Sequence, residues 1–521
     1  MEQAISGLAW LRRLTSSERR VWGLLTLWTI VSRLPLLTYP KACDDEQVYA
    51  VVAIEMLHGG RPYIDAVERK PPLLFYVYDT VLRFAGEHNY FALHLVCLLW
   101  VLATMACLYV IARRCFDVST GFIAAAMYAV FTAWADYSNL AFNGELMMNL
   151  PVVAAIAFAF RASGSRFRAD LLIAGALVAI AFLLKQPSVV AIVPLGIYVL
   201  LPAYRRERQL AFLDVAVQLF SLSLGFVVTL SMSAWWLHGL GILKEAWYWS
   251  VGNHANPFGP TTWFFWHKLP VVGSWFVAES MPLLLAAGWS IGLGFEHQNT
   301  WIHRRAEFLS LVVLLVVSAI GVAYNGQFNF HYFLQLTPAL VLLGAPVVSE
   351  LVTGKRKSRL LVLRPRVLAT WIACCALLFL VVDAIGLSRN RGPHESAVYV
   401  RQHSLPTDRI FMWGQGTQQT GIYLDAERRP ASRYIASFPL NGLVFGLVGI
   451  DTHDRIVPGS WEHLQADFQR QMPKFIIDCH EIRDGQYFKI RDYPYLSDLL
   501  ATKYRYVLRA KDGIVYQRIS A

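Results

Sequence analysis

Residues 89–112 read NYFALHLVCLLWVLATMACLYVIA, a stretch of 24 residues without Asp, Glu, Lys or Arg that runs directly into Arg113 and Arg114. As an α-helix it would rise about 36 Å, enough to cross a hydrocarbon core of about 30 Å. The stretch therefore predicts a transmembrane helix whose basic end lies on the inner side of the membrane.

The same apolar pattern recurs along most of the 521-residue chain. Hydrophobic residues make up 56% of it and charged residues only 16%, with a mean hydropathy of +0.41, which excludes an ordinary soluble domain. The first apolar segment has no small-residue cleavage site, so it is predicted to be a retained span rather than a signal peptide. The pattern predicts about eleven spans, near residues 21–38, 89–112, 119–136, 145–160, 169–184, 186–203, 212–237, 270–293, 306–323, 332–350 and 367–387.

The formal net charge of +11 is unevenly distributed between the two sides of these spans. Twenty Lys and Arg residues fall in the connections on one side, and eight fall on the other side before the C-terminal segment. By the positive-inside rule the N-terminus is inside, and an odd number of spans then places the C-terminal segment outside. The basic excess is thus explained by topology and not by nucleic-acid binding.

Two regions outside the spans have recognisable patterns. The outer loop 39–88 is predicted to hold two interfacial helices, one at 46–58 and one from Pro71-Pro72 to Phe84. Beyond residue 387 the spans stop, and short apolar strands alternate with helices. The strands are predicted at 409–413, 475–478, 506–508 and 514–516, and the helices at 395–403, 461–471 and 495–503. We therefore predict a transmembrane domain, 1–387, and a small α/β extracytoplasmic domain, 388–521.

Of the seven cysteines, only Cys43 and Cys479 are predicted to lie on the outer side. A disulfide between them and two separate thiols are both compatible with this placement.

Three adjacent carboxylates, Asp44, Asp45 and Glu46, follow the first span. They repel one another, so at least one is expected to have a raised pKa or to bind a cation. A raised pKa suits a general base that takes a proton from a sugar hydroxyl. The alternative is a solvated loop in which Asp45 caps the next helix.

Basic residues follow on the same loop. Lys70, at the start of a predicted helix, forms a cationic patch with Arg61 and Arg69 that could hold a phosphate. Attraction of these residues to anionic lipid headgroups is the alternative.

Further polar residues stand at the outer ends of later spans. Glu145 opens the fourth span, where an ionisable residue indicates function unless it only caps the helix. Lys185 lies between the fifth and sixth spans, either as a second phosphate contact or as a lysine reaching the interface. His331 and Tyr332 begin the tenth span, and His254 lies in the aromatic outer loop 238–269. All of these segments reach the outer face, where acids beside cations suit a reaction on a membrane-embedded phosphate.

Several of these residues stand in motifs that resemble a known family. The motifs are Arg33-Leu34-Pro35, Asp45-Glu46-x-x-Tyr49, Gly60-x-Pro62-Tyr63-x-Asp65, Lys70-Pro71-Pro72-Leu73, Asn143-Gly144-Glu145, Met148-x-Leu150-Pro151, Lys185-Gln186 and His331-Tyr332-x-x-Gln335-x-x-Pro338. Their order over about 300 residues is similar to that in GT-C glycosyltransferases, closest to family 39. That group includes the protein O-mannosyltransferases, the aminoarabinose lipid A transferases and the RgtA/B/C/D-like bacterial enzymes.

The resemblance implies a GT-C fold in the bacterial cytoplasmic membrane and an inverting transferase with a polyprenyl-phosphate-linked sugar as donor. It implies Asp45 as the base, supported by Asp44 or Glu46, with Lys70 on the donor phosphate and Glu145 as the second-loop acid. Tyr63, Asp65, His254, His331 and Tyr332 are further candidates for the cavity. Arg69 stands where aminoarabinose transferases usually have glutamate, which argues against a metal site like theirs; a need for a divalent cation stays open.

Two other functions compete with this interpretation. A transporter or flippase of polyprenyl-linked sugars would place its charges near the midplane, often in repeated halves, and the sequence has no such repeat. A non-catalytic component of a polysaccharide export complex would need no acids and lysines together. The acceptor, whether glycan, lipid A-like lipid or protein, is left open, and we favour a glycan or lipid because the tail has no evident peptide-binding module.

Overall fold

In the computed structural model the chain is a large α-helical body with a small C-terminal sheet. The residues described are 15–38, 44–133, 137–161, 167–205, 212–252, 266–295, 301, 303–323, 326–355, 365–389, 392–414, 419–444, 451–480 and 488–519. The helices before the sheet are α1 (Ser16–Thr38), α2 (Asp44–Leu57), α3 (Pro72–Ala85), α4 (Tyr90–Cys115), α5 (Val118–Phe131), α6 (Gly144–Arg161), α7 (Phe167–Leu184), α8 (Ile192–Arg205), α9 (Phe212–Gly239), α10 (Leu243–Ser250), α11 (Leu269–Phe295), α12 (Arg305–Ala323), α13 (Thr337–Val352) and α14 (Pro365–Arg389).

Helical structure is present at each of the eleven predicted spans. Within the described ranges, seven helical segments are long and apolar enough to cross a membrane: α1, α4, α6, α9, α11, α12 and the stretch Phe330–Val352 that ends in α13. Shorter apolar helices cover Val118–Phe131, Gln186–Leu201 and Ala376–Gly386. The protein is therefore a multi-pass membrane protein, while the number of eleven crossings stays a prediction.

Local sequence explains where these helices begin and end. The Asn89 side chain accepts a hydrogen bond from the Ala92 amide and caps α4, and Asp117 caps α5 through the Thr120 amide at 2.8 Å. Asn143 accepts from the Leu146 amide at 3.0 Å and so starts α6. Pro187 lacks an amide hydrogen, and the chain accordingly leaves α7 at Leu184 for a short 3₁₀ turn, Gln186–Ala191.

Two glycines allow α7 and α9 to pack backbone against backbone. A Cβ at Gly175 would overlap the carbonyl group of Leu222, and a Cβ at Gly225 would overlap that of Leu172. Small residues at facing positions are the usual means of close helix contact in lipid, where no hydrophobic effect drives the association. This contact fixes two helices on the side of the molecule that carries Lys185.

The C-terminal elements are α15 (Glu395–Gln402), β1 (Arg409–Trp413), α16 (Gly421–Ala426), β2 (Arg429–Pro430), α17 (Phe438–Asn441), α18 (Ser460–Arg470), β3 (Phe475–Asp478), α19 (Pro494–Lys503), β4 (Tyr504–Arg509) and β5 (Ile514–Arg518). The strands form one sheet in the order β2-β1-β3-β5-β4, with β1 parallel to β2 and β3, and β5 antiparallel to β3 and β4. Phe411 and Trp413 of β1 pack against Phe468 and Trp461 of α18.

The four predicted strands and three predicted helices of this segment are confirmed to within a few residues. Strand β2, which has only two residues, and the short helix α16 were not predicted. The boundary between domains at residue 387 stays a prediction.

Helix α2 differs from its predicted placement. Its sequence indicates one apolar face lying on the membrane surface, yet every residue from Glu46 to Met56 is buried. The second face is covered by the C-terminal segment, because Arg409 and Arg429 contact Glu55, and Gly421 packs against Gln47. A contact across some 350 residues of sequence cannot be read from helical periodicity.

Candidate active site

Asp45 and Lys70 are brought together by the two helices of the first outer loop. Asp45 lies in the first turn of α2, and Lys70 directly precedes the two prolines that begin α3. Lys70 Nζ is 3.7 Å from Asp45 Oδ2, and the Tyr49 hydroxyl donates to the same oxygen at 3.0 Å. The two charged side chains are about one-fifth exposed, at 21% and 19%, so a ligand can reach them.

The surroundings of Asp45 shift its pKa downwards. Burial alone would raise the pKa of this carboxyl, but the positive charges of Lys70, His331 and Lys185 outweigh burial and hold the pKa below its ordinary value. The pKa of Lys70 is correspondingly raised by Asp45 against the effect of burial. The acidic triplet was predicted to contain a carboxyl with a raised pKa or one that binds a cation. Asp45 shows the second of these, because it pairs with Lys70 and its pKa is lowered.

A second acid–lysine pair lies beside the first. Lys185 Nζ is 2.7 Å from Glu145 Oε1, and the two side chains are only 7% and 2% exposed. Gly144 permits this approach, because a Cβ there would be 2.9 Å from Lys185 Cδ. The ion pair joins the start of α6 to the end of α7 at the same level as Asp45.

His331 stands between the two pairs. Its Nε2 atom is 3.7 Å from Asp45 Oδ2 and 4.0 Å from Glu145 Oε1. The neighbouring ring of Tyr332 faces Lys185, whose Nζ is 5.2 Å from the ring centroid, a cation–π contact. Five predicted residues from four separate segments thus form one cluster, Asp45, Lys70, Glu145, Lys185 and His331, with Tyr332 at its side.

The other predicted acids have different surroundings. Glu46 is buried, accepts a hydrogen bond from the Phe142 amide at 2.6 Å, and lies 3.7 Å from His94. These contacts join α2 to α4 and to the start of α6, which indicates a structural role. Asp44 begins α2, but its side chain lies outside the described residues.

The predicted cationic patch is split. Arg61 pairs with Asp65 of its own turn at 3.7 Å, and both are substantially exposed, at 53% and 39%. The guanidinium of Arg69 lies 4.6 Å from the centre of the Phe438 ring, so it faces the C-terminal segment. Within the described contacts only Lys70 of the three approaches Asp45.

Tyr63 holds the backbone at Lys70 through a hydrogen bond. Its backbone has φ +69°, a left-handed conformation that is unusual for a tyrosine, and its hydroxyl donates to the Lys70 carbonyl at 2.7 Å. Gln186 donates to the preceding carbonyl, that of Arg69, at 2.9 Å. These two hydrogen bonds hold the two peptide groups that flank Lys70.

Two predictions concern residues that the structure does not describe. His254 and Cys43 both lie outside the described ranges, so the cavity role of the one and the disulfide of the other stay predictions. Among the residues that are described, no group of three or more His, Cys, Asp or Glu side chains is arranged to hold a metal ion.

The predicted resemblance to GT-C glycosyltransferases can be compared with known protein families and solved structures. A model of the dolichyl-phosphate-mannose-protein mannosyltransferase family matches residues 69–235, about a third of the chain, which include Lys70, Glu145 and Lys185. Comparison with curated proteins gave no significant match.

Solved structures match over nearly the whole chain. The crystal structure of ArnT from Cupriavidus metallidurans bound to undecaprenyl phosphate aligns with a TM-score of 0.62 at 13% identity, covering 96% of this chain and 98% of that one. The apo form of the same protein gives 0.58 at 14% identity, with 95% and 98% covered. The oligosaccharyltransferase AglB from Archaeoglobus fulgidus, in complex with an inhibitory peptide and a dolichol-phosphate, gives 0.55 at 13%, with 97% and 74% covered.

The chain has the GT-C fold. The predicted fold class is thereby confirmed, and within it the acid–lysine cluster lies where the first loop of the GT-C fold meets the later spans.

Three residues around this cluster, Tyr49, Lys268 and Gln186, were not among the predicted site residues. Tyr49 lies four residues after Asp45, one helical turn, so its contact could have been expected once α2 was predicted. Lys268 donates to Asn329, two residues before His331, and burial lowers the pKa of Lys268 to about 8. No pattern in the sequence connects Gln186 with Arg69, to whose carbonyl it donates.

Proposed function

We propose that this protein is an inverting glycosyltransferase that moves a sugar from a polyprenyl-phosphate donor to an acceptor hydroxyl on the outer face of the bacterial cytoplasmic membrane. The observation that carries the proposal is the cluster in which Asp45–Lys70 and Glu145–Lys185 meet around His331. Its support is the fold of ArnT, which has been crystallised with undecaprenyl phosphate. The basic connections argue for a cytoplasmic N-terminus and an extracytoplasmic domain at 388–521.

The reaction is a single displacement. The acceptor oxygen attacks the anomeric carbon as its proton passes to the Asp45 carboxylate. The bond from that carbon to the phosphate oxygen breaks, and its electron pair leaves with polyprenyl phosphate. Lys70, with Lys185 nearby, stabilises the negative charge that develops on the leaving phosphate, which is the main contribution expected of preorganised cations.

The low pKa of Asp45 is compatible with a base once the donor is bound. In the free site Lys70 is paired with Asp45, and its charge is the first cause that opposes burial. A donor phosphate beside Lys70 would share that charge, so the carboxylate would become more basic as the donor binds. This ties proton removal to the presence of donor and limits idle turnover.

The decisive variant is Asp45→Asn. It removes the base and keeps the size of the side chain, so we expect transfer to fall by roughly 10²–10⁴-fold while the protein still folds and binds donor. The measurement is release of polyprenyl phosphate from a labelled donor by purified protein in liposomes. Asp79→Asn is the matched control, because Asp79 lies on the same loop and its ion pair, at 2.8 Å, is with Arg83 one turn along α3, whose side chain is 52% exposed.

The same assay separates the competing functions. Intact donor that crosses the bilayer without cleavage would identify a flippase, and neither cleavage nor crossing would fit a non-catalytic component. An Asp45→Asn protein that releases polyprenyl phosphate at the wild-type rate would remove Asp45 from its proposed role. The acceptors to supply are glycans, lipid A-like lipids and a peptide, in separate reactions.

A further inference from the structure

Two polar atoms at the centre of the cluster have no hydrogen-bond partner among the residues that the structure describes. They are Glu145 Oε2 and His331 Nε2, on side chains that are 2% and 10% exposed. The nearest carboxylate oxygens to His331 Nε2, at 3.7 and 4.0 Å, are too distant for hydrogen bonds. Both atoms are thus buried polar groups that the described side chains leave unsatisfied.

Such atoms are costly to the fold and therefore indicate a ligand. Native proteins pair nearly all buried polar groups, and the exceptions concentrate where a ligand or an ordered water supplies the missing partner. The other oxygen of Glu145 is held at 2.7 Å by Lys185, which favours the ionised carboxylate. Oε2 is then a pure acceptor, and His331 Nε2 is a donor or an acceptor according to its tautomer.

We propose that Glu145 and His331 bind a hydroxyl group of the donor sugar and thereby select which sugar is transferred. A hydroxyl donates one hydrogen bond and accepts others, so it can donate to Glu145 Oε2 while it accepts from His331 Nε2 in the tautomer that carries the proton on that nitrogen. A phosphate diester offers no donor to Glu145. An ammonium group would lie beside Lys185, and it could not pair with His331 in the tautomer that donates.

The hydroxyl belongs to the donor and not to the acceptor for a geometric reason, and this step rests on the proposed function. The acceptor hydroxyl must lie at Asp45, and the phosphate must lie at Lys70, which is 3.7 Å away. The sugar ring is attached directly to that phosphate, so its own hydroxyls fall within a few ångströms of it. His331, which is 3.7 Å from Asp45, is close enough to reach them.

Discrimination between related donors tests the proposal. The probes are short-chain prenyl phosphates carrying mannose, glucose or galactose, together with the 2-, 3-, 4- and 6-deoxy forms of whichever hexose the protein prefers. Binding is measured without acceptor by displacement of a labelled prenyl phosphate, so an acceptor-side hydroxyl cannot contribute. We expect one deoxy form to bind the wild-type protein about 10- to 100-fold more weakly, because it leaves buried groups unpaired.

Two variants locate that discrimination. In His331→Phe and in Glu145→Gln, that deoxy form should bind less than about threefold more weakly than the parent hexose. The binding ratios of the other deoxy forms to the parent hexose should be unchanged. Retained binding of prenyl phosphate without sugar shows that each variant is folded, because Lys70 is untouched. Arg401→Ala, which removes a surface ion pair with Glu427 in the C-terminal segment, should keep the wild-type ratio.

The possible results separate this inference from the proposed function. Equal binding of all deoxy forms to the wild-type protein, or a ratio that survives in both variants, would overturn the sugar-selecting role and mean that only water pairs these atoms. A wild-type protein that releases no polyprenyl phosphate from any hexose donor would instead overturn the transferase, whatever the binding ratios.

Discussion

At the scale of single residues, the proposed function gives Lys70 two roles at once. It would hold the donor phosphate, and it keeps the neighbouring Asp45 carboxyl ionised. Burial would raise the pKa of Asp45, and Lys70 is the largest of the charges that lower it. The acid and the lysine are therefore one functional unit, and removing the lysine is expected to change how the acid titrates.

Lys70→Met makes this coupling measurable. In the wild-type protein the pKa of Asp45 is lowered, so its carboxylate stays ionised even below the ordinary aspartate pKa of about 3.9. Protonation of Asp45 should therefore not reduce the activity at any higher pH. Without Lys70 the effect of burial gains weight, and the acid limb of kcat/KM should move upwards by roughly 1–3 pH units. The residual activity of the variant is followed across pH 4 to 8 with labelled donor.

Lys70→Arg is the matched variant for this profile, because it keeps a positive charge beside Asp45. Its acid limb should stay with that of the wild-type protein even if its rate falls. An unchanged acid limb in Lys70→Met would mean that another group controls the pH dependence, and the proposed coupling would be wrong.

At the scale of elements, α2 is held at both ends by different parts of the chain. Near its start, Asp45 contacts Lys70 and His331, and near its end the buried Glu55 contacts two arginines of the C-terminal sheet. Arg429 Nη2 is 2.6 Å from Glu55 Oε2, and Arg409 Nη1 is 3.3 Å from Oε1. The C-terminal segment is thus in direct contact with the helix that carries the proposed base.

Glu55→Gln is predicted to weaken this attachment. Losing one member of a buried ion pair costs about 3–5 kcal/mol, and the partial exposure of both arginines reduces the loss here to about 1–3 kcal/mol. Thermal unfolding of the purified protein measures the loss. We also expect a lower kcat with little change in donor KM, because Asp45 moves with α2 while Lys70 lies beyond it.

The ion pair Arg401–Glu427 supplies the control for Glu55. It has a similar N–O distance of 2.8 Å but is 54% and 32% exposed, so Glu427→Gln should cost less than about 1 kcal/mol and leave kcat unchanged. Equal effects of the two variants would show that the contact with the C-terminal segment has no special importance for α2.

The same elements show what a sequence can predict here. Long apolar runs predicted the helices at the spans, and short apolar segments predicted the main strands, because each of those patterns is local. The topology then placed Asp45, Lys70, Glu145, Lys185 and His331 on one face, and the structure brings these five together. The structural contacts of Glu46 and the pairing of Glu55 with Arg429 could not be predicted, since they depend on segments packing across 96 and 374 residues.

At the scale of the whole molecule, the distribution of basic residues predicts which side of the membrane carries the proposed active site. Twenty basic residues on one side against eight on the other predict an inner N-terminus. On that prediction the cluster around Asp45 and the C-terminal sheet would both lie outside, where polyprenyl-linked sugars would meet acceptors of the cell envelope. An inverted molecule would present the same site to cytoplasmic substrates, so orientation limits the possible function.

Two single cysteine substitutions test this orientation. Lys355→Cys lies in a predicted inner connection and Leu405→Cys in the C-terminal segment, and the native side chains are 64% and 67% exposed. In spheroplasts a membrane-impermeant maleimide should label Leu405→Cys at once and Lys355→Cys only after the membrane is permeabilised. The wild-type protein, with its seven cysteines, gives the background to subtract. Immediate labelling of Lys355→Cys with Leu405→Cys protected would invert the topology and place the proposed active site in the cytoplasm.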